Sequence, residues 1–205
     1  MNTNITENYL FQFVYKSFYR LDNAGLTTQF KTEYFNILQE YRQFDNFDFA
    51  NILQRLFEIQ NHQGQNTFQF SFVTKMQNTI CNDRPIYDNE VSKVFSFNRP
   101  RQGSPFNDKL DFYLELLRII DETYNTFIND NNLHNIITLF DNKFPQNNLG
   151  QIKKFDFIFW SAGKILWHQD LQNVGEWLKK TDRIASPTQK VEFRVPKTVL
   201  CLMEI

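Results

Sequence analysis

Apolar residues recur along most of this chain at intervals of three and four, the spacing of one face of a helix. Leu10, Phe13, Val14, Ser17, Phe18 and Leu21 share that spacing, and Asp22-Asn23-Ala24-Gly25 stops it. Phe30, Tyr34, Ile37, Leu38 and Tyr41 predict a second helix over 27–43. Phe49, Ile52, Leu53, Leu56 and Ile59 predict a third over 48–61, closed by the polar break His62-Gln63-Gly64-Gln65-Asn66. Phe68, Phe70 and Phe72 alternate and so admit a short strand. Val73, Met76 and Ile80 continue at helical spacing and favour a helix over 68–80. After the loop Asn82-Asp83-Arg84-Pro85, Asp88 precedes a short helix over 89–95.

Ser104-Pro105 reads as a helix start, with Ser as N-cap and Pro in the first helical position. The helix it opens runs to about residue 128, with Leu110, Tyr113, Leu114, Leu117, Ile120, Tyr124 and Phe127 as its buried side. Further helices are expected over 133–140, over 152–167 through Phe155, Phe159, Ala162 and Leu166, and more weakly over 171–180. Val191-Glu192-Phe193-Arg194-Val195 alternates as a strand does, and Val199-Leu200-Cys201-Leu202 is apolar. No internal repeat or long linker divides the chain. The expectation is an all-α protein, a single helical domain over 1–205 with a short C-terminal tail of β character.

Composition narrows this reading. A chain of 205 residues can bury a substantial core, as one domain or as one domain with two lobes about a cleft. Its 23 Phe stand against only 6 Gly and 6 Pro, too few turn formers for a sandwich or barrel of many short strands. A net charge of −1 excludes a uniformly basic nucleic-acid coat and leaves room for a local basic face. Cys81 and Cys201 are far apart, form no CxxC, and belong to no cluster with zinc spacing. No metal or cofactor is therefore expected, and the compartment expected is the reducing cytoplasm. Met1-Asn2-Thr3-Asn4 lacks the basic start and apolar core of a signal peptide, and no apolar run is long enough to span a bilayer. No membrane partner is expected, and the chain is expected to be a monomer.

The stretch over 64–95 reads as polar hairpin, helix, short loop, Pro-x-x-Asp, helix. Phe70-Ser71-Phe72-Val73-Thr74-Lys75-Met76 followed by Pro85-Ile86-Tyr87-Asp88-Asn89-Glu90-Val91 resembles the helix-hairpin-helix DNA glycosylases, in particular the archaeal 8-oxoguanine glycosylases and their bacterial relatives. Further on, Lys153-Lys154-Phe155-Asp156-Phe157-Ile158-Phe159-Trp160 looks like the late helix of those enzymes, where an Asp and a Trp four residues apart help hold the flipped base. The two matches fall in the family's order and cover about a third of the chain.

The resemblance implies a two-lobed helical fold, a duplex carrying a damaged base as partner, and a role for each matched residue. The hairpin at Gly64 would hold a phosphate through backbone N–H groups. Asp88 would be the catalytic carboxylate, stabilising positive charge on the sugar or activating the attacking nucleophile. Asp156 would accept hydrogen bonds from a purine edge and Trp160 would stack on the base. Strand-cutting members also use a Lys that forms a Schiff base, and such a Lys must be neutral to attack. Here the family's Lys position holds Asn66-Thr67, and the hairpin has one glycine where the family usually has two. Either Lys75 serves as nucleophile, or the reaction is monofunctional and uses water. Arg99 and Arg101 beside Pro100 are candidate phosphate contacts, which Lys16, Arg20, Lys93 and Lys109 would extend. Read without the resemblance, Asp88 is a good N-cap for the helix after it. The alternative is a non-catalytic relative that keeps the helical fold to bind DNA or a protein.

Overall fold

The computed structural model describes residues 4–168, apart from Asp45, Gln102 and Asn132. The helix expected over 171–180, the alternating tail and Cys201 lie outside the described residues. Among those described, the regular structure is helical: α1 (Tyr9–Tyr19), a 3-10 turn (Leu21–Asn23), α2 (Thr28–Tyr41), α3 (Phe49–Phe57), α4 (Phe70–Ile80), α5 (Asn89–Val94), α6 (Phe106–Asn129), α7 (His134–Lys143) and α8 (Gln151–His168). The all-α class read from the periodicity is the class of the fold.

Local chemistry fixes several of the starts. Asn8, Thr27, Asp48 and Asp88 each accept a backbone N–H from the first turn of the helix that follows. A cap of this kind is worth about 1 kcal/mol. The Ser104 cap that the sequence predicts for the long helix does not form. Pro105 lies in extended backbone, with φ −52° and ψ 158°, so α6 begins one residue later without a side-chain cap. Helix α4 likewise starts at Phe70. Phe68 stacks on Phe70 at 6.5 Å from outside the helix, and Phe70 stacks on Phe49 at 5.6 Å.

The chain divides into two compact units, Met1–Cys81 and Asn82–Ile205. In the first, α2 supplies the centre of the core through Phe30, Tyr34, Ile37 and Leu38. Ile52, Leu53 and Leu56 of α3 and Phe70, Val73 and Met76 of α4 are buried with them. The Tyr34 hydroxyl donates to the Phe72 carbonyl at 2.7 Å and lies 2.8 Å from the Tyr15 hydroxyl, giving both buried phenols a partner. Arg55 of α3 joins Glu33 and Glu40 of α2, each at 2.8 Å. Helix α1 turns Tyr15 into this core. The stripe that its periodicity picks out, Leu10, Phe13, Val14 and Phe18, lies on the opposite, exposed side.

In the second unit α5 lies directly on α8. A Cβ on Gly163 would stand 2.2 Å from the Glu90 carbonyl oxygen, so only glycine permits this approach. Aromatic rings fill the space behind it. Phe95 stacks on Phe159 at 5.4 Å, and Tyr124 of α6 contacts Phe155 and Phe159 at 5.4 and 5.2 Å. The loop that leads into α5 carries Asp88.

Candidate functional site

Pro85, Ile86 and Tyr87 are buried, whereas Asp88 is partly exposed. Three of the segment's four residues are thus anchored in the fold, and the fourth is partly exposed. Asp88 has extended backbone, and its Oδ1 accepts the Glu90 N–H at 2.9 Å as the N-cap of α5. A carboxylate so held has little freedom to rotate, which suits a group that must stand at one place beside a reacting atom.

What fixes the segment is Asp156. Its Oδ1 accepts the Ile86 N–H at 3.0 Å, across a sequence separation of 70 residues. Asp156 is only 6% exposed. Burial pushes its carboxyl up to about 7, against the opposing pull of Lys153 and of the Ile86 N–H, with Asp88 adding to the rise. The Lys153 ammonium stands 3.9 Å from its Oδ2. Tyr124 also feels this carboxylate, and its buried hydroxyl has no hydrogen-bond partner among the described residues.

A second set of contacts surrounds the first turn of α5. Glu90 is 8% exposed and binds Lys93 at 2.7 Å and Lys164 of α8 at 3.2 Å. Burial alone raises Glu90, but the hydrogen bonds from the two lysines outweigh it and hold the carboxyl below its ordinary value. The Lys164 ammonium also lies 5.4 Å from the centre of the Trp160 ring. Trp160 is 38% exposed. The indole therefore has one neighbour of positive charge and a solvent-facing part.

Arg99 donates to the Asn89 side chain at 2.6 Å. It also acts electrostatically on Tyr87 and Tyr113, whose rings meet edge-on at 5.2 Å. Burial is the largest cause raising the Tyr87 phenol to about 12, so it stays neutral under ordinary conditions. Arg101 is exposed in the same loop.

Asp88, Asp156, Trp160, Arg99 and Arg101 belong to the second unit, and Lys75 and Gly64 to the first. Lys75 packs its ammonium near the rings of Phe72 and Tyr19, at 5.0 and 6.0 Å. Gly64 has φ +72°, the left-handed backbone for which glycine is suited. The N–H groups of its loop are turned inward. Gln63 and Gln65 donate to the Asn61 side chain, and Gly64 donates to the Asn61 carbonyl. In this arrangement those three amides are satisfied by Asn61 and are not presented to a phosphate.

Glu90, Lys164, Gly163 and Tyr124 surround this segment without belonging to a functional motif in the sequence. Only Gly163 carries a sequence signal, a glycine inside a helical pattern, which often marks a close backbone approach. Comparisons with protein-family models, with curated proteins and with solved structures found no match for this chain.

Proposed function

We propose that this chain is a DNA glycosylase-like protein that removes a flipped, oxidised or otherwise altered purine, with Asp88 as the reacting carboxylate. The observation that supports this reading is the setting of Asp88. It is a partly exposed carboxylate on a buried Pro-x-x-Asp segment, capped onto α5 and pinned from α8 through Ile86. Such a group can stabilise positive charge developing on a deoxyribose, or orient a water, without moving during the reaction. Trp160, with part of its ring exposed, is the candidate stacking surface for the extruded base. The family resemblance assigns Asp156 to a purine edge. Its burial and its bond to Ile86 suit it better to positioning Asp88. The preference for 8-oxoguanine, and Lys75 as a Schiff-base nucleophile, rest on the family resemblance.

The test is incubation with duplexes that each carry one damaged base, followed by alkali to cut at abasic sites and, in parallel, borohydride to trap a Schiff base. Asp88→Asn keeps a good N-cap. It should lower the glycosylase rate by about 100-fold or more with little change in melting temperature. Absence of cleavage on every lesion, with wild type equal to Asp88→Asn, rejects the reading. Trapping abolished by Lys75→Gln supports a strand-cutting enzyme; cleavage without trapping supports a monofunctional one.

A second reading has its own observation. The amides of the Gly64 loop are bound by Asn61, which favours a relative that keeps the helical fold for binding DNA or a protein without the reaction. Lesion-independent DNA binding that falls steeply with salt, with no cleavage, is the result expected from it.

A further inference from the structure

Helix α1 has two apolar sides, and one of them is buried against described residues. Tyr15 is buried, and Phe11 and Tyr15 meet Phe35 edge-on at 6.4 and 5.6 Å. The outward side carries Tyr9, Leu10, Phe13, Val14 and Phe18, each between 56% and 78% exposed. No other described helix exposes so many large apolar residues. With an aromatic side chain offering roughly 150–250 Å² when fully exposed, these five present about 600 Å². A contiguous patch of that size lies at the upper end for a monomer, where patches are often functional.

We propose that this face of α1 is the interface of a twofold dimer, with a second copy of the chain as its occupant. The area favours this occupant. Fully buried, two such faces would cover up to about 1,200 Å², the lower bound for a specific, stable association. The pattern also complements itself. A twofold axis passing between Phe13 and Val14 of an antiparallel helix pair brings each Leu10 against the small, exposed Ser17 of the other copy. The same operation sets each Phe13 beside its own counterpart and lays each Tyr9 along the flank that holds Lys16 and Arg20. A large residue opposite a small one and an aromatic ring beside cations are favourable without any foreign partner. With a net charge of −1, two copies repel each other little.

Sedimentation velocity on the full chain over roughly 1–100 µM, a range in which interfaces of this size exchange, tests the proposal. A concentration-dependent dimer is expected. Leu10→Glu and Phe13→Glu should each give a monomer with unchanged helical circular dichroism, because both side chains are exposed in the single chain. In a Cys81→Ser, Cys201→Ser background, Phe13→Cys should form a disulfide-linked dimer on mild oxidation, and Gln12→Cys should not. A monomer at every concentration overturns the proposal, as does a dimer that survives both glutamate substitutions. Binding to vesicles of mixed neutral and anionic lipid that is lost in Phe13→Glu, with no self-association, overturns it in favour of a membrane surface.

Discussion

At the scale of single residues, two buried oxygens carry the most testable consequences. The Asp156 carboxyl is raised from 3.8 to about 7, chiefly by burial. A group whose proton is held more tightly in the folded state stabilises the fold fully below its unfolded value. That stabilisation is lost as pH rises through the folded value. Stability should therefore fall between about pH 4 and pH 7, at up to about 1.4 kcal/mol per pH unit. Asp156→Asn keeps an oxygen for the Ile86 N–H and buries no charge. It should flatten this slope and exceed wild type by about 2–4 kcal/mol at pH 8, as read from denaturant unfolding at several pH values. Tyr124 makes the opposite case, a buried hydroxyl with no partner among the described residues. Tyr124→Phe removes an unsatisfied polar group and should raise stability by about 1 kcal/mol, a shift of roughly 2–4 °C in melting temperature. Neither oxygen was legible as such in the sequence. Helical spacing put Asp156 and Trp160 on one face, which they share. It did not tell that one would be 6% and the other 38% exposed, because exposure depends on what packs against the helix and not on spacing along it.

At the scale of elements, the approach of α5 to α8 decides where Asp88 stands. Alanine in place of glycine inside a helix ordinarily stabilises by about 1 kcal/mol. At Gly163 the new methyl would meet the Glu90 backbone at 2.2 Å, and backbone cannot swing aside as a side chain can. Gly163→Ala should therefore destabilise by about 2 kcal/mol or more, and it should displace α5 with its capping Asp88. Thermal melting, together with amide exchange at Ile86 and Glu90, checks both parts. An unchanged melting temperature would contradict the close approach. Most of the helices were legible because they keep a 3.6-residue period over two or more turns, whereas the six-residue α5 was marked by the capping Asp88 before it. Their ends were less so. Ser104-Pro105 has the composition of a helix start, yet the backbone of Pro105 is extended and the helix opens at Phe106. On α1 the period gave the helix but not its buried side, since the apolar stripe it picks out faces solvent.

At the scale of the molecule, the dimer proposed through α1 makes stability depend on protein concentration. If folded copies associate and unfolded ones do not, melting temperature should rise between roughly 1 and 100 µM, and Phe13→Glu should abolish the rise. A melting temperature independent of concentration would argue against association. The sequence by itself determined that this chain is helical, where most helices lie, and that Asp88 caps one of them. Those properties follow from local periodicity and from side chains acting within a turn or two of their own backbone. Only the tertiary structure decided that Asp156 holds Ile86 from 70 residues away, that Gly163 lets α5 touch α8, and that one apolar side of α1 lies outside the core. Each of these depends on which surfaces the folded chain brings within a few ångströms, and spacing along one helix does not encode that.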